Sequence, residues 1–101
     1  MPPVLLARLS EIPAGGLTCR IHGTRQVMLA RVGDAVYAID DVCTHENFLL
    51  SGGELFGLDV ECPQHGSRFN LQTGKVTGLP AVINTTVYPV EVVEDEVYVD
   101  V

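Results

Sequence analysis

The sequence predicts an all-β fold, a small antiparallel sandwich or barrel, on three observations. Runs rich in β-branched and aromatic residues recur along the chain, and turn clusters bearing Gly and Pro separate them. No segment sustains a helical period over about ten residues. There is no internal repeat, low-complexity tract or linker.

The elements follow in order. Residues 4–9 are a short apolar run that stops near Pro13-Ala14-Gly15-Gly16, a turn cluster. Cys19, between Thr18 and Arg20, falls in a further strand and reads as a buried small hydrophobe. His22, beside Gly23, reads as a surface or turn histidine. Residues 27–32 and 35–40 are β-rich runs joined by Gly33-Asp34, a two-residue hairpin signal. Residues 58–61 form a short alternating strand. Residues 87–93 and 97–101 pair across the charged turn Glu94-Asp95-Glu96. In the last strand Val97, Val99 and Val101 alternate with Tyr98 and Asp100, one face buried and the other wet. Pro89 cannot donate to a ladder, so it marks an edge or a bulge.

Composition limits the function classes. The 101 residues suffice for one domain, residues 1–101, and 47% of them are hydrophobic, enough for a packed core. The net charge of −7 repels phosphate backbones and anionic lipid, which argues against nucleic acid and membrane surfaces as partners. It suits docking to a basic patch on another protein. No apolar run reaches about 18 residues, so no transmembrane helix is expected. Met1-Pro2-Pro3 lacks the basic and apolar regions of a signal peptide. Three cysteines are an odd number and do not read as a disulfide framework. These features together favour the cytoplasm, where thiols stay reduced and open to metal; a monomer is expected, though the sequence does not name the oligomeric state.

The middle of the chain departs from the sheet pattern. Residues 41–66 hold two polar loops, Asp41-Val42-Cys43-Thr44-His45-Glu46 and Cys62-Pro63-Gln64-His65-Gly66-Ser67. The motif is Cys-x-His, sixteen residues, then Cys-x-x-His. Each half offers one thiolate and one imidazole, and a tight turn can aim both at one point. A Cys2His2 set could hold a single tetrahedral zinc. Alternatively, two cysteines could bind one iron and two histidines the other iron of a [2Fe–2S] cluster. Zinc fingers usually pair Cys with Cys and His with His, whereas here each loop mixes the types. That mixing matches a cluster clamped between two loops.

On Cys43-Thr44-His45 and Cys62-Pro63-Gln64-His65-Gly66-Ser67, the sequence resembles the Rieske ferredoxins, in particular the ferredoxin components of bacterial aromatic-ring-hydroxylating dioxygenase systems. The resemblance runs from about Leu5 to Val101. It implies the Rieske fold, with a cluster-binding subdomain of two loops spanning about residues 41–81. It implies one [2Fe–2S] cluster, with Cys43 and Cys62 on the inner iron and His45 and His65 on the outer iron. Two ferric ions, two sulfides and two thiolates sum to zero charge, and reduction makes the unit −1. A four-cysteine cluster starts two charges more negative, so neutral imidazoles raise the potential.

The resemblance also sets expectations for the residues around the ligands. High-potential relatives carry an extra cysteine in each loop; here those places hold Phe48 and Gln64, so that disulfide is absent. A tyrosine hydroxyl of such relatives is replaced by Phe69. Their cluster-facing serine is present as Ser67. Gly66 would let backbone approach the cluster closely. Residues 78–81 resemble the proline loop that shields such clusters, with Pro80 at its centre. These features imply a low potential, somewhat above the family's floor.

The remaining polar groups have plainer readings. Asp40 and Asp41 read as a solvated turn. Leu49 and Leu50 follow the first loop as either an apolar docking rim or ordinary packing. No nucleophile pairs with a spare base, no glycine loop cradles phosphate, and no 2-His-1-carboxylate set remains for a mononuclear iron. The expected function is therefore an electron carrier, not catalytic alone. By resemblance, it takes single electrons from a flavin-containing NAD(P)H-dependent ferredoxin reductase. It delivers them to the α subunit of a terminal oxygenase acting on an aromatic substrate. The rivals are the ferredoxin-like small subunit of a nitrite reductase, a carrier for another oxygenase, and a structural zinc module that binds a partner protein.

Overall fold

The computed structural model describes residues 3–43, 49–63, 66–79, 81 and 83–101. In chain order the strands are β1 (Val4–Arg8), β2 (Leu17–His22), β3 (Arg25–Val32), β4 (Ala35–Asp40), β5 (Glu54–Phe56), β6 (Asp59–Glu61), β7 (Arg68–Asn70), β8 (Val76–Gly78), β9 (Val87–Tyr88), β10 (Val90–Val93) and β11 (Glu96–Val99). They form three antiparallel sheets, ordered β1-β11-β10, β2-β3-β4-β9 and β5-β6-β7-β8. Among the described residues the only helical pieces are 3₁₀ turns at Leu9–Glu11 and Leu50–Gly52. The all-β expectation holds.

Burial along β3 explains how the sheets stack. Val27, Met28, Leu29 and Ala30 are all fully buried. Side chains alternate across a strand, so this strand must be covered on both faces. Met28 and Ala30 face one core together with Ile39, Leu50, Val60, Phe69 and Leu71. Val27 and Leu29 face a second core with Ala7, Val36, Ala38, Val97 and Val99. The sheet β2-β3-β4-β9 is therefore a middle layer. The β5-β6-β7-β8 sheet packs on one side of it and the β1-β11-β10 sheet on the other.

Turn chemistry sets the registers. The loops Gly23-Thr24, Gly33-Asp34 and Gly57-Leu58 each hold two residues between paired strands, and each opens on a glycine at φ of +62°, +62° and +61°. A left-handed residue at this position matches the twist of the flanking strands. The fourth such loop, between Val93 and Glu96, opens instead on Glu94 at φ +56°, the one non-glycine with positive φ among the described residues.

The chain differs from expectation at the run 87–93, which serves two sheets. Val87 and Tyr88 pair with Ile39 and Ala38, while residues from Val90 onward pair with β11. Pro89 stands between them, where the missing N–H costs no ladder bond. Its carbonyl accepts the Asp100 N–H at 3.0 Å. Strands β5, β7 and β8, three residues each, lie in stretches read from sequence as loop. They are too short to display a period.

Candidate metal centre

The first cysteine loop leaves β4 through Asp40 and Asp41. Asp41 is fully buried, which corrects the reading of this pair as a solvated turn. Its backbone carbonyl accepts the Leu50 N–H at 2.6 Å. Its carboxylate accepts the Ser51 N–H at 2.6 Å on Oδ1 and the Ser51 hydroxyl at 2.7 Å on Oδ2. Val42 and Leu49 form a bridge just inside these bonds. A buried carboxylate is tolerated because donors satisfy it. Asp40 is partly buried, and that burial, with the Asp41 charge next, raises its carboxyl above the ordinary range.

The second loop leaves β6 at Glu61 and closes tightly: the Cys62 N–H donates to the Ser67 carbonyl at 2.7 Å. Gly66 has φ +75°, a conformation that favours glycine, so its role here is to turn the backbone. Arg68 braces the base of the loop. Its Nε donates to Glu61 Oε2 at 2.8 Å and its guanidinium lies 4.2 Å from the centre of the Phe56 ring. Gly53 fits under Glu61 only because it has no Cβ; one would collide with the Glu61 carbonyl.

Both loops converge on one core. Cys43 is 3% exposed and Cys62 2% exposed, and they share a buried cluster with Leu50, Phe69 and Ala81. All three cysteines of the chain are thiols. Phe69 is fully buried in the same cluster, and Ser67 is buried with its Oγ accepting the Ala81 N–H at 3.0 Å. His45, His65 and Pro80, together with Phe48 and Gln64, lie outside the described residues. Among the described residues no group of three or more metal-binding side chains gathers; the cysteines are the part of the expected set that can be located.

The flanking residues divide. Leu50 is fully buried and Leu49 is 39% exposed, so packing claims the first and the surface the second. Leu79 and Ile83, on either side of Ala81, are also exposed. Cys19 is partly rather than fully buried. Its thiol is pushed up to about 11 by burial first, then by a hydrogen bond and charge repulsion from Asp41. His22 is exposed at the end of β2. Sequence reasoning missed the bonds of Asp41 to Ser51 and its influence on Cys19. Their partners are distant along the chain, and neither serine nor aspartate announces burial.

The Rieske [2Fe-2S] domain family matches residues 3–89, and the chain belongs to that family. It is 46% identical over 77 residues to ferredoxin CarAc of Metapseudomonas resinovorans, covering 76% of this chain and 72% of that protein. In structure it resembles the ferredoxin of carbazole 1,9a-dioxygenase from Nocardioides aromaticivorans IC177, with a TM-score of 0.93 and 37% identity over 98% of this chain and 97% of that one. It also resembles a chain in a carbazole 1,9a-dioxygenase complex of reduced oxygenase and oxidized ferredoxin. There the TM-score is 0.90 at 38% identity, covering 96% of this chain and 100% of the other. Among the described residues no helix is long and apolar enough to cross a membrane.

Proposed function

We propose that this protein is a Rieske ferredoxin that carries single electrons to the terminal oxygenase of an aromatic-ring dioxygenase system. The observation that carries the reading is the pair Cys43 and Cys62, buried in one core at the bases of two loops that each contain a histidine. Two thiols in an apolar core suit soft iron–sulfur ligation. On this reading Cys43 and Cys62 hold the inner iron and His45 and His65 the outer iron of one [2Fe–2S] cluster. When bound, the cluster supplies a one-electron couple.

The chain's own residues do the rest. Leu50, Phe69 and Ala81 keep water from the cysteine side. Gly66 turns the second loop, and the Ser67 hydroxyl holds Ala81. The reading also assigns Pro80 to shielding the centre, as the family resemblance implies. The whole of residues 1–101 acts as one domain, with loops 41–81 as its cluster-binding part. The carrier is not catalytic alone, works as a cytoplasmic monomer, and receives electrons from a flavin-containing NAD(P)H-dependent reductase.

Anaerobically purified protein should be red-brown, with about two irons and two sulfides per chain. Its reduced EPR spectrum should be that of mixed Cys and His ligation. Reductase and oxygenase together should turn over an aromatic substrate only when the protein is added. Colourless, zinc-bearing protein would defeat the reading, as would an all-thiolate EPR spectrum.

A further inference from the structure

The neck of the first cysteine loop is built around one buried charge. Asp41 precedes Cys43 by two positions and holds the returning arm by its carbonyl and by both carboxylate oxygens. Burial and the influence of the same carboxylate raise the Cys19 thiol of β2 to about 11. One residue thus ties the end of β4 to the Leu50–Gly52 turn. Leu50, the neighbour of Ser51, packs in the same core as Cys43 and Cys62.

Two consequences follow from this arrangement. Closing a loop costs chain entropy, and bonds at the neck offset that cost before any metal binds. A carboxylate buried near a centre that gains negative charge on reduction opposes that gain, because burial leaves the interaction poorly screened.

We infer that Asp41 is a positioning residue for the metal centre, latching the loop that carries Cys43 and biasing the centre toward its oxidised state. The inference rests on the cluster assignment above. It adds that the latch is intramolecular, formed by Asp41 with Ser51.

The test uses the full-length holoprotein and its variants Asp41→Asn, Ser51→Ala and Ser51→Thr. Asp41→Asn removes the charge and keeps an acceptor oxygen; its midpoint potential should rise. Ser51→Ala keeps the charge and loses one bond; cluster bleaching under a chelator should accelerate about three- to tenfold, the loss of one buried hydrogen bond, with no rise in potential. Ser51→Thr, which keeps the hydroxyl, should restore the slow rate. An unchanged potential in Asp41→Asn would overturn the bias, and equal bleaching of Ser51→Ala and wild type would overturn the latch. If Asp41→Asn does not retain cluster, the two Ser51 variants still decide the latch. If the wild-type protein binds no cluster, the cluster assignment fails. In that case amide exchange at Ser51, slow in wild type and fast in Asp41→Ala, which removes both acceptor oxygens, still tests the latch.

Discussion

Ser67 Oγ accepts the backbone N–H of Ala81 at 3.0 Å, joining the second cysteine loop to a segment fourteen residues further along the chain. The bond uses the oxygen's lone pair and leaves the hydroxyl proton to donate elsewhere in the core. A donor aimed at cluster or cysteine sulfur favours the reduced, more negative state. Ser67→Ala should therefore lower the midpoint potential. Phe69→Tyr, which adds a hydroxyl in the same buried cluster, should raise it. A hydrogen bond to a charged group amounts to about 1.5 kcal/mol, or roughly 60 mV for one electron. Protein-film voltammetry that finds both variants at the wild-type value would refute this account.

Gly53 has no room for a side chain, because a Cβ would meet the Glu61 carbonyl. The obstacle is backbone, which cannot rotate aside. Gly53→Ala should destabilise the fold by about 3 kcal/mol or more, beyond ordinary overpacking. Urea melts of the purified variant give the number, and a midpoint within error of wild type would contradict the steric argument.

Glu94 occupies the position that glycine takes in the other two-residue hairpins, with φ +56°. A side chain there costs about 1–2 kcal/mol, and glycine brings back roughly 0.5–1 kcal/mol of chain entropy. Glu94→Gly should stabilise the protein by about 0.5–1 kcal/mol and raise Tm by several degrees. The neighbouring Asp95 stays untouched, and its bonds to the Ser10 N–H and hydroxyl should persist. A lower Tm would show that the turn is not strained.

Cys19 links stability to alkaline pH. Its thiol is raised from 9.0 to about 11, so between those values the unfolded chain has released the proton while the folded one keeps it. The contribution is complete below pH 9 and is lost as pH rises through 11. Chemical melts from pH 8 to 11 should show wild type losing more stability than Cys19→Ala. Parallel curves would remove Cys19 from the linkage.

The net charge of −7 predicts how the carrier meets a redox partner. Attraction to a basic docking patch acts across a Debye length, about 10 Å at 0.1 M salt and about 3 Å at 1 M. Second-order electron transfer with such a partner should fall roughly tenfold as salt is raised over this range. A flat salt profile would point to docking governed by apolar contact.

Much of this was legible in the sequence. The hairpin at Gly33-Asp34 and the alternation of Val97 and Val99 stand where expected, because turn chemistry and a period of two are local properties. The two cysteines of the motif lie in one core. The division at Pro89 was hidden, since a proline breaks a ladder without stating which sheet receives each side. Asp41 was misread because charge beside a loop ordinarily means solvent. Its burial depends on Ser51 and Cys19, whose approach only the folded chain determines.

The pairing of Val4 with Val99 brings the first and last strands side by side in the β1-β11-β10 sheet. That sheet packs in the core opposite the one that contains Cys43 and Cys62. Polypeptide can therefore be grafted at both ends without threading past the cysteine loops. A fold wired in this way is portable: it can be spliced into a longer enzyme as a module, with the seam and the redox end on different layers.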